Sequence, residues 1–170
     1  TGFHFDAVKF GLSLRDRVAI PNGVKHILEE VKTVEQDEKG IKSLNNKHKA
    51  DLFIDCTGFR ALLMDKILKE PFNSFKHILP NDSAWAIRLP YKNKKKELVP
   101  FTNCTAIENG WVWNVPLWSR IGTGYVYSSK FVDDETALEE FKKHLGIKEG
   151  DFRNIKMRVG IHNRLWVKNV

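Results

Sequence analysis

Two tryptophans separated by a single residue are the feature of this sequence best suited to a chemical role. They lie in residues 110–116, a stretch that begins with Gly110 and ends with Pro116. Alternate residues of an extended strand point to the same face, so a strand here would present Trp111 and Trp113 side by side. Two such rings form a flat apolar wall, which could either back a planar cofactor or fill the core of a sheet. The residue types leave both alternatives open.

A second stretch with chemical potential covers residues 50–58, where an apolar run ends in small and polar residues. This pattern predicts a strand that is buried on both faces and ends at a ligand crevice. Gly58 would allow a ligand to approach the backbone closely. Asp55 would either border that ligand or accept hydrogen bonds as the cap of a turn or helix.

Other chemistries find little support in the residue spacing. The two cysteines, Cys56 and Cys104, form no CxxC pair, and the six histidines are scattered along the chain. We therefore predict neither a disulfide framework nor a metal site. Thr57, Ser128 and Ser129 lack recognisable His and Asp partners, so hydrolase chemistry is not indicated.

The net charge of +7 raises the alternative of nucleic-acid binding. Part of the excess is local, because Lys92 and residues 94–96 are lysines between two Pro-aromatic pairs. A solvated turn explains this cluster, and we predict no nucleic-acid partner.

The bulk composition predicts a soluble globular protein, with 42% hydrophobic and 29% charged residues. No apolar run approaches the roughly 18 residues that a membrane-spanning helix needs, so we expect no membrane association. The chain starts without Met or a leader pattern, and we expect an internal piece of a longer chain. A reducing, cytoplasmic setting is the default expectation.

Periodicity predicts the elements of the first half. Residues 5–19 form a helix that residues 21–23 end, and residues 24–34 alternate as a strand. Residues 37–40 are a hairpin turn that leads into a strand over residues 41–44. Residues 59–69 form a second helix, which stops before Pro71.

The second half is rich in predicted strands, over residues 83–89, 99–107, 111–117 and 124–129. Residues 108–110 are a tight turn. Asp133 begins a helix with an apolar stripe, and Gly146 closes it. An extended piece follows at residues 155–166. The fold class is therefore α/β (α+β), a mixed β-sheet flanked by helices.

Several motifs occur together and in order, and they resemble those of one family. The motifs are His4-Phe5-Asp6-Ala7, Asp51-Leu52-Phe53-Ile54-Asp55-Cys56-Thr57-Gly58, Gly110-Trp111-Val112-Trp113-Asn114-Val115-Pro116, Gly124-Tyr125-Val126-Tyr127-Ser128-Ser129 and Met157-Arg158-Val159-Gly160. In this combination the chain resembles the central part of the flavin-dependent tryptophan halogenases. Residues 1–70 would belong to the FAD-binding module and residues 71–170 to a sheet-rich substrate side, within a flavin-monooxygenase-like fold.

The resemblance implies a reaction in which reduced FAD, oxygen and halide yield hypohalous acid. A separate flavin reductase supplies the reduced FAD, and the acid moves through a tunnel to an aromatic substrate such as tryptophan. Val31, Asp55 and Gly58 would contact the cofactor. Gly110, Trp111, Trp113 and Pro116 would form the motif that separates flavin from substrate.

The family's other parts have no counterpart in this sequence. No Gly-x-Gly-x-x-Gly phosphate cradle follows a predicted strand, and we expect the cradle and the family's lysine upstream. We expect its glutamate and halide site downstream, so no catalytic residue lies within the chain and residues 1–170 alone should be inactive. The alternatives are a flavin-dependent monooxygenase and a non-catalytic remnant that binds an aromatic ligand, and a homodimer is left open.

Overall fold

The computed structural model describes residues 2–170 of the protein. Its α-helices are α1 (Ala7–Leu14), α2 (Lys94–Glu97) and α3 (Asp134–Leu145). Its strands are β1 (Val34–Asp37), β2 (Gly40–Leu44), β3 (Phe72–Ser74), β4 (Ser83–Leu89), β5 (Asn103–Ile107), β6 (Gly110–Leu117), β7 (Arg120–Tyr127), β8 (Arg153–Lys156) and β9 (Gly160–His162). Short π-helical segments cover Arg15–Ala19 and Leu62–Ile67, and 3₁₀ turns cover Ile20–Asn22 and Gly58–Arg60.

The predicted combination of sheet and helices is confirmed, and the chain divides into two compact units. The first unit consists of residues 2–26 and Pro80–Met157. The second consists of Ile27–Leu79 and Arg158–Val170. The functional division that we placed after residue 70 stays a prediction. Among residues 2–170, no helix combines the length and the apolar character that crossing a membrane requires.

The first unit is built on a five-stranded antiparallel sheet with the order β5-β6-β7-β4-β8. The predicted strand over residues 83–89 and the turn at residues 108–110 are confirmed. β6 begins one residue before the predicted strand, while β5 begins only at Asn103. β7 runs from Arg120 to Tyr127 instead of residues 124–129. The four predicted strands are therefore present in the predicted order, with errors at their ends. The fifth strand, β8, overlaps the extended piece predicted at residues 155–166 only at its last two residues.

Helix α3 covers one face of this sheet. It carries the fully buried Phe141, which packs against the fully buried Tyr125 of β7 with ring centroids 6.1 Å apart. Val112 of β6 belongs to the same cluster. Both predicted caps are confirmed, because Asp133 accepts a hydrogen bond from the Thr136 amide and Gly146 adopts the left-handed conformation. Local signals at both ends therefore fix the helix that completes the core.

Substitution of Asp133 by alanine should lower the free energy of unfolding by about 1 kcal/mol. The Asp133 side chain accepts bonds from the Thr136 amide at 2.8 Å and from its hydroxyl at 2.9 Å. Asp133→Asn is the control, since asparagine caps nearly as well. Urea unfolding that gave equal midpoints for the alanine and asparagine variants would contradict the capping role.

Residues 5–19 are helical largely as predicted, as α1 followed by the π-helical segment Arg15–Ala19. Gly23, with φ of 86°, ends this region. Its apolar stripe is not buried within the described residues, as Val8 is 58% exposed and Val18 52%. The periodicity thus predicted the helix but not a covered face.

The second unit contains two small antiparallel ladders, β1 with β2 and β3 with β9. The hairpin and its turn at residues 37–40 are confirmed. The strand predicted over residues 24–34 is wrong, because regular pairing begins only at Val34. The amides of Lys32 and Thr33 donate instead to the side-chain Oδ1 of Asn45, at 2.8 and 3.2 Å. A side chain therefore satisfies this backbone in place of a neighbouring strand.

The strand predicted over residues 50–58, buried on both faces, is also wrong. Phe53 is buried, but Leu52 is 49% and Ile54 81% exposed. The backbone shows one tertiary bond there, from the Phe53 amide to the carbonyl of Asn169 at 2.8 Å.

The helix predicted over residues 59–69 is broken into a 3₁₀ turn and a π-helical segment. Ala61 lies between them in the left-handed conformation, with φ of 42°. Leu63 is nevertheless buried, as the periodicity predicted, in a cluster with Ile41 and Phe53.

Candidate functional site

The two tryptophans of residues 110–116 lie side by side on one face of the large sheet. Their ring centroids are 6.2 Å apart, with the ring planes at 59°. Trp111 pairs with Val126 and Trp113 with Gly124, while the intervening Val112 points into the core under α3. Trp111 remains 38% exposed. The rings therefore form a wall on the face opposite α3 (the Trp face), and they do not fill the core beneath that helix.

Neighbouring residues on β7 hold Trp113 in position. The Thr123 hydroxyl donates to the carbonyl of Trp113 at 2.7 Å, and the Thr123 side chain is buried. A Cβ atom on Gly124 would overlap with Cζ2 and Cη2 of the Trp113 indole. Only glycine at position 124 therefore leaves room for the indole ring at this point of β7.

The glycine that begins the motif has a steric reason of its own. A Cβ atom on Gly110 would overlap with the carbonyl oxygen of Val126 on the neighbouring strand. Glycine at this position therefore lets β6 leave the turn at residues 108–110 and pair closely with β7.

The proline that closes the motif is held by the N-terminal segment. Its carbonyl accepts a hydrogen bond from His4 Nδ1 at 3.0 Å, and His4 Nε2 lies 3.2 Å from the Thr102 hydroxyl. Because a carbonyl only accepts, Nδ1 is the donor in the hydrogen bond to Pro116. Proline is tolerated because β5 pairs with β6 only up to Asn114, so β5 requires no amide donor from position 116.

Asp6 connects the same segment to the start of β7. Its carboxylate accepts from the amides of Val8 and Lys9, which caps α1, and lies 3.0 Å from Arg120 Nη2. One side chain therefore fixes both the helix start and the strand that backs Trp113. The sequence motif of residues 4–7 indicated this segment, but not its contacts with β7.

In the second unit, Asp55 is a capping residue. Its Oδ1 accepts from the amide and hydroxyl of Thr57, and its Oδ2 accepts from the amides of Leu63 and Met64, at 2.6–3.1 Å. Partial burial pushes the pKa of this carboxyl upward, but the hydrogen bonds outweigh burial and hold the pKa below its usual value. The capping alternative is thus confirmed, while contact with a cofactor stays a prediction.

Substitution of Asp55 by asparagine should lower the free energy of unfolding by about 2 kcal/mol, because an amide group would face N–H donors. The pKa of Asp55 is lower in the folded state than in the unfolded state. The ionised carboxylate therefore stabilises the fold above the unfolded pKa of about 3.9, and this stabilisation is lost as pH falls through the folded-state pKa. Thermal unfolding should show a larger difference in stability between the unaltered protein and Asp55→Asn at pH 7 than at pH 3. A constant difference would contradict this account.

The other predicted cofactor residues lie in irregular backbone. Gly58 has φ of 64°, and a Cβ atom there would meet nothing within 4 Å, so its conformation and not crowding requires glycine. Val31 is 36% exposed and lies between residues that line a polar cavity of about 500 Å³. A second, mostly apolar cavity of about 260 Å³ is lined by Phe53, Asp55 and Trp166 among others.

The sequence interpretation missed Gly124, Thr123 and His4 as residues that hold the wall. Gly122 and Gly124 have the first spacing of a Gly-x-Gly-x-x-Gly motif but lack its third glycine. Their informative property is position, since a glycine directly opposite a tryptophan leaves room for the ring across the strand pair.

Comparison with known proteins places these features in a family. The tryptophan halogenase family model matches residues 1–170. The chain is 39% identical over 174 residues to the tryptophan 7-halogenase RebH of Lentzea aerocolonigenes, covering 98% of the chain and 33% of that protein. It is 37% identical over 174 residues to the 7-chloro-L-tryptophan 6-halogenase KtzR of Kutzneria sp. (strain 744), covering 98% and 34%.

Solved structures agree with this assignment. The structure of Tar14, a tryptophan C-6 flavin-dependent halogenase from taromycin biosynthesis, matches with a TM-score of 0.89 at 41% identity, over 98% of this chain and 34% of that one. The apo structure of VirX1 matches with a TM-score of 0.90 at 44% identity, over 96% and 33%. The chain therefore belongs to the tryptophan halogenase family, and it spans about a third of the length of the curated relatives it matches.

Proposed function

We propose that this chain is the central part of an FAD-dependent halogenase that uses reduced flavin, oxygen and halide to halogenate tryptophan or a related aromatic. Family membership supports the reaction class. The observation that carries the proposal is the wall of Trp111 and Trp113, which lies on the sheet face opposite α3. Rings used only for packing would be expected within the core under that helix.

The wall's role in this proposal is separation. A substrate that reached the flavin directly would be open to oxygenation, so bulky side chains that occupy the intervening space protect the halogenation reaction. Trp113 suits this role because Thr123 and Gly124 fix its backbone and its ring. Gly110 begins the strand, and Pro116 lies one residue before its end, where His4 donates to the Pro116 carbonyl.

The second unit would supply part of the FAD site through Val31, Asp55 and Gly58. The fit rests on the open space beside Gly58 and on the apolar cavity that reaches Asp55. Asp55 already accepts four hydrogen bonds from its own chain, so it would shape the site more than bind the cofactor. FAD, when bound and reduced, would supply the electrons for the reaction with oxygen.

The proposal includes partners outside this chain. A separate reductase would deliver reduced FAD, and a halide ion would be the second co-substrate, in a cytoplasmic setting. None of the lysines or glutamates of this chain takes the catalytic roles known in the family.

The deciding experiment is an assay of the full-length protein with FAD, a flavin reductase, bromide and a panel of indoles, analysed by mass spectrometry. A brominated product supports the proposal. A hydroxylated product in its place would identify a flavin monooxygenase, and ligand binding without turnover would identify a non-catalytic aromatic-binding protein.

Residues 1–170 alone should neither halogenate indoles nor hold FAD tightly, because the resemblance places the phosphate cradle and the catalytic lysine and glutamate elsewhere. Calorimetry should give an FAD dissociation constant above about 1 µM, which corresponds to a binding free energy smaller in magnitude than about 8 kcal/mol. Tighter binding by the isolated chain would contradict our placement of the cradle. The full-length protein, measured in parallel, is the control.

A further inference from the structure

A cavity of about 470 Å³ lies on the Trp face of the first unit. Its floor is formed by positions with small side chains, Ala86 and Gly122, and the Trp113 ring forms one wall. This volume is within the range of small-molecule sites. It is also more than ten times the roughly 30 Å³ that one water molecule occupies in the liquid, so a single halide ion would leave it mostly empty.

The cavity has an excess of positive charge. Three arginines line it, and one of them, Arg120, is paired with Asp6 at 3.0 Å. Arg88 and Arg153 are exposed, and their guanidinium groups form no ion pair or hydrogen bond with any of residues 2–170. The Asp151 carboxylate also lines the cavity, without an ion pair to either of them. Two guanidinium groups against one carboxylate leave a net attraction for an anion.

The lining therefore combines two kinds of recognition. Guanidinium groups bind carboxylates through charge-assisted, often bidentate, hydrogen bonds. An indole wall and a floor without bulky side chains suit a planar ring, which stacks against the aromatic face. Neither a bare halide nor an uncharged aromatic would use both features.

We propose that this cavity is a binding site for an aromatic carboxylate, whose ring packs against Trp113 and whose carboxylate is bound by Arg88 and Arg153. The site is defined by the sheet itself, since β4, β7 and β8 supply its arginines. Its existence does not depend on whether the bound molecule is the one that is halogenated.

The test is calorimetric titration of the full-length protein with indole-3-acetate and with indole-3-acetamide, which has a similar shape but no charge. We expect the acid to bind at least tenfold more tightly than the amide, and Arg88→Gln and Arg153→Gln each to weaken acid binding about tenfold. Affinity for the acid should also fall when salt is raised from about 0.05 to 0.5 M. Arg17→Gln is the matched control, because Arg17 is an exposed arginine of the first unit that does not line the cavity.

Equal binding of acid and amide would overturn the proposal, as would losses in the two variants no larger than in Arg17→Gln. A crystal structure of the full-length protein in which another segment fills the cavity would overturn it as well. The halogenation assay is scored separately, so a failure of this site and a failure of the proposed function give different results.

Discussion

Replacement of Gly124 by alanine is expected to displace the Trp113 ring and lower the free energy of unfolding by about 3 kcal/mol, the upper part of the range for overpacking. The added Cβ would overlap with the indole and lie 2.6 Å from the backbone oxygen of Trp85. Position 124 pairs with Trp113 on one side and Ala86 on the other. The backbone therefore cannot move away without breaking the ladder on one side of β7.

The matched control is Gly122→Ala, two residues earlier on the same strand and the same face. The nearest atom to a Cβ there is Nη1 of Arg120 at 3.4 Å, at the end of a flexible side chain. We expect a change within about 0.5 kcal/mol, as for ordinary surface substitutions. Urea unfolding measures both variants, and near-ultraviolet circular dichroism reports the tryptophan environment. Equal losses of stability in the two variants would show that β7 is sensitive to any added side chain, and that contact with the Trp113 ring is not the cause.

The same pair of variants connects the wall to the proposed function. If Trp113 separates flavin from substrate, Gly124→Ala in the full-length protein should raise the share of hydroxylated indole relative to halogenated indole. Gly122→Ala, which leaves the Trp113 ring in place, should change this ratio less than Gly124→Ala does. If the ring is shown to be displaced in Gly124→Ala but the ratio of hydroxylated to halogenated indole is unchanged, then the Trp wall does not separate flavin from substrate.

The sequence was sufficient where the signals are local. The alternation of residues 110–116 correctly placed Trp111 and Trp113 on one face, since the period of a strand depends only on backbone geometry. Helix α3 was predicted with both caps, because Asp133 and Gly146 act within a turn of the helix they bound.

It was insufficient where a partner decides the outcome. Residues 50–58 have the composition of a buried strand, but a strand needs neighbours, and the described residues provide a single tertiary backbone–backbone bond, from Phe53 to Asn169. In residues 24–34 the Asn45 side chain captures backbone amides that alternation had assigned to a ladder. Tertiary context overrides local preference in both places.

The residues that contact the Trp113 ring could not be predicted, for a related reason. It depends on the register between β6 and β7, which sets Gly124 directly opposite the ring. A shift by one residue would place Thr123 or Tyr125 there instead, and the sequence alone does not fix that choice.

Removal of the Tyr127 hydroxyl in Tyr127→Phe should lower the free energy of unfolding by about 2 kcal/mol, because it removes a hydrogen bond to a charged carboxylate. Tyr127 is fully buried, and its hydroxyl donates to Asp134 Oδ1 at 2.7 Å and accepts from Asn154 at 2.9 Å. The bonds join β7 and β8 to the first turn of α3. Tyr125→Phe is the comparison, since the Tyr125 hydroxyl also donates to a carboxylate, that of Glu140, but does not connect β8 to α3, and we expect about half the loss. Equal effects would mean that Asn154 finds another acceptor.

Acid should weaken the same junction through Asp134. The hydrogen bond from Lys156, followed by that from Tyr127, holds the pKa of the Asp134 carboxyl below its usual value. A depressed folded-state pKa means that the contribution is complete above the unfolded value of about 3.9 and disappears as pH falls through the folded value. Asp134→Asn should therefore be less stable than the unaltered protein at pH 7 and approach it at pH 2–3. Tyr127→Phe removes one of the two hydrogen bonds to Asp134, so the stability of this variant should depend less on pH in the acid range. An unchanged pH dependence would leave Lys156 as the sole cause of the lowered pKa.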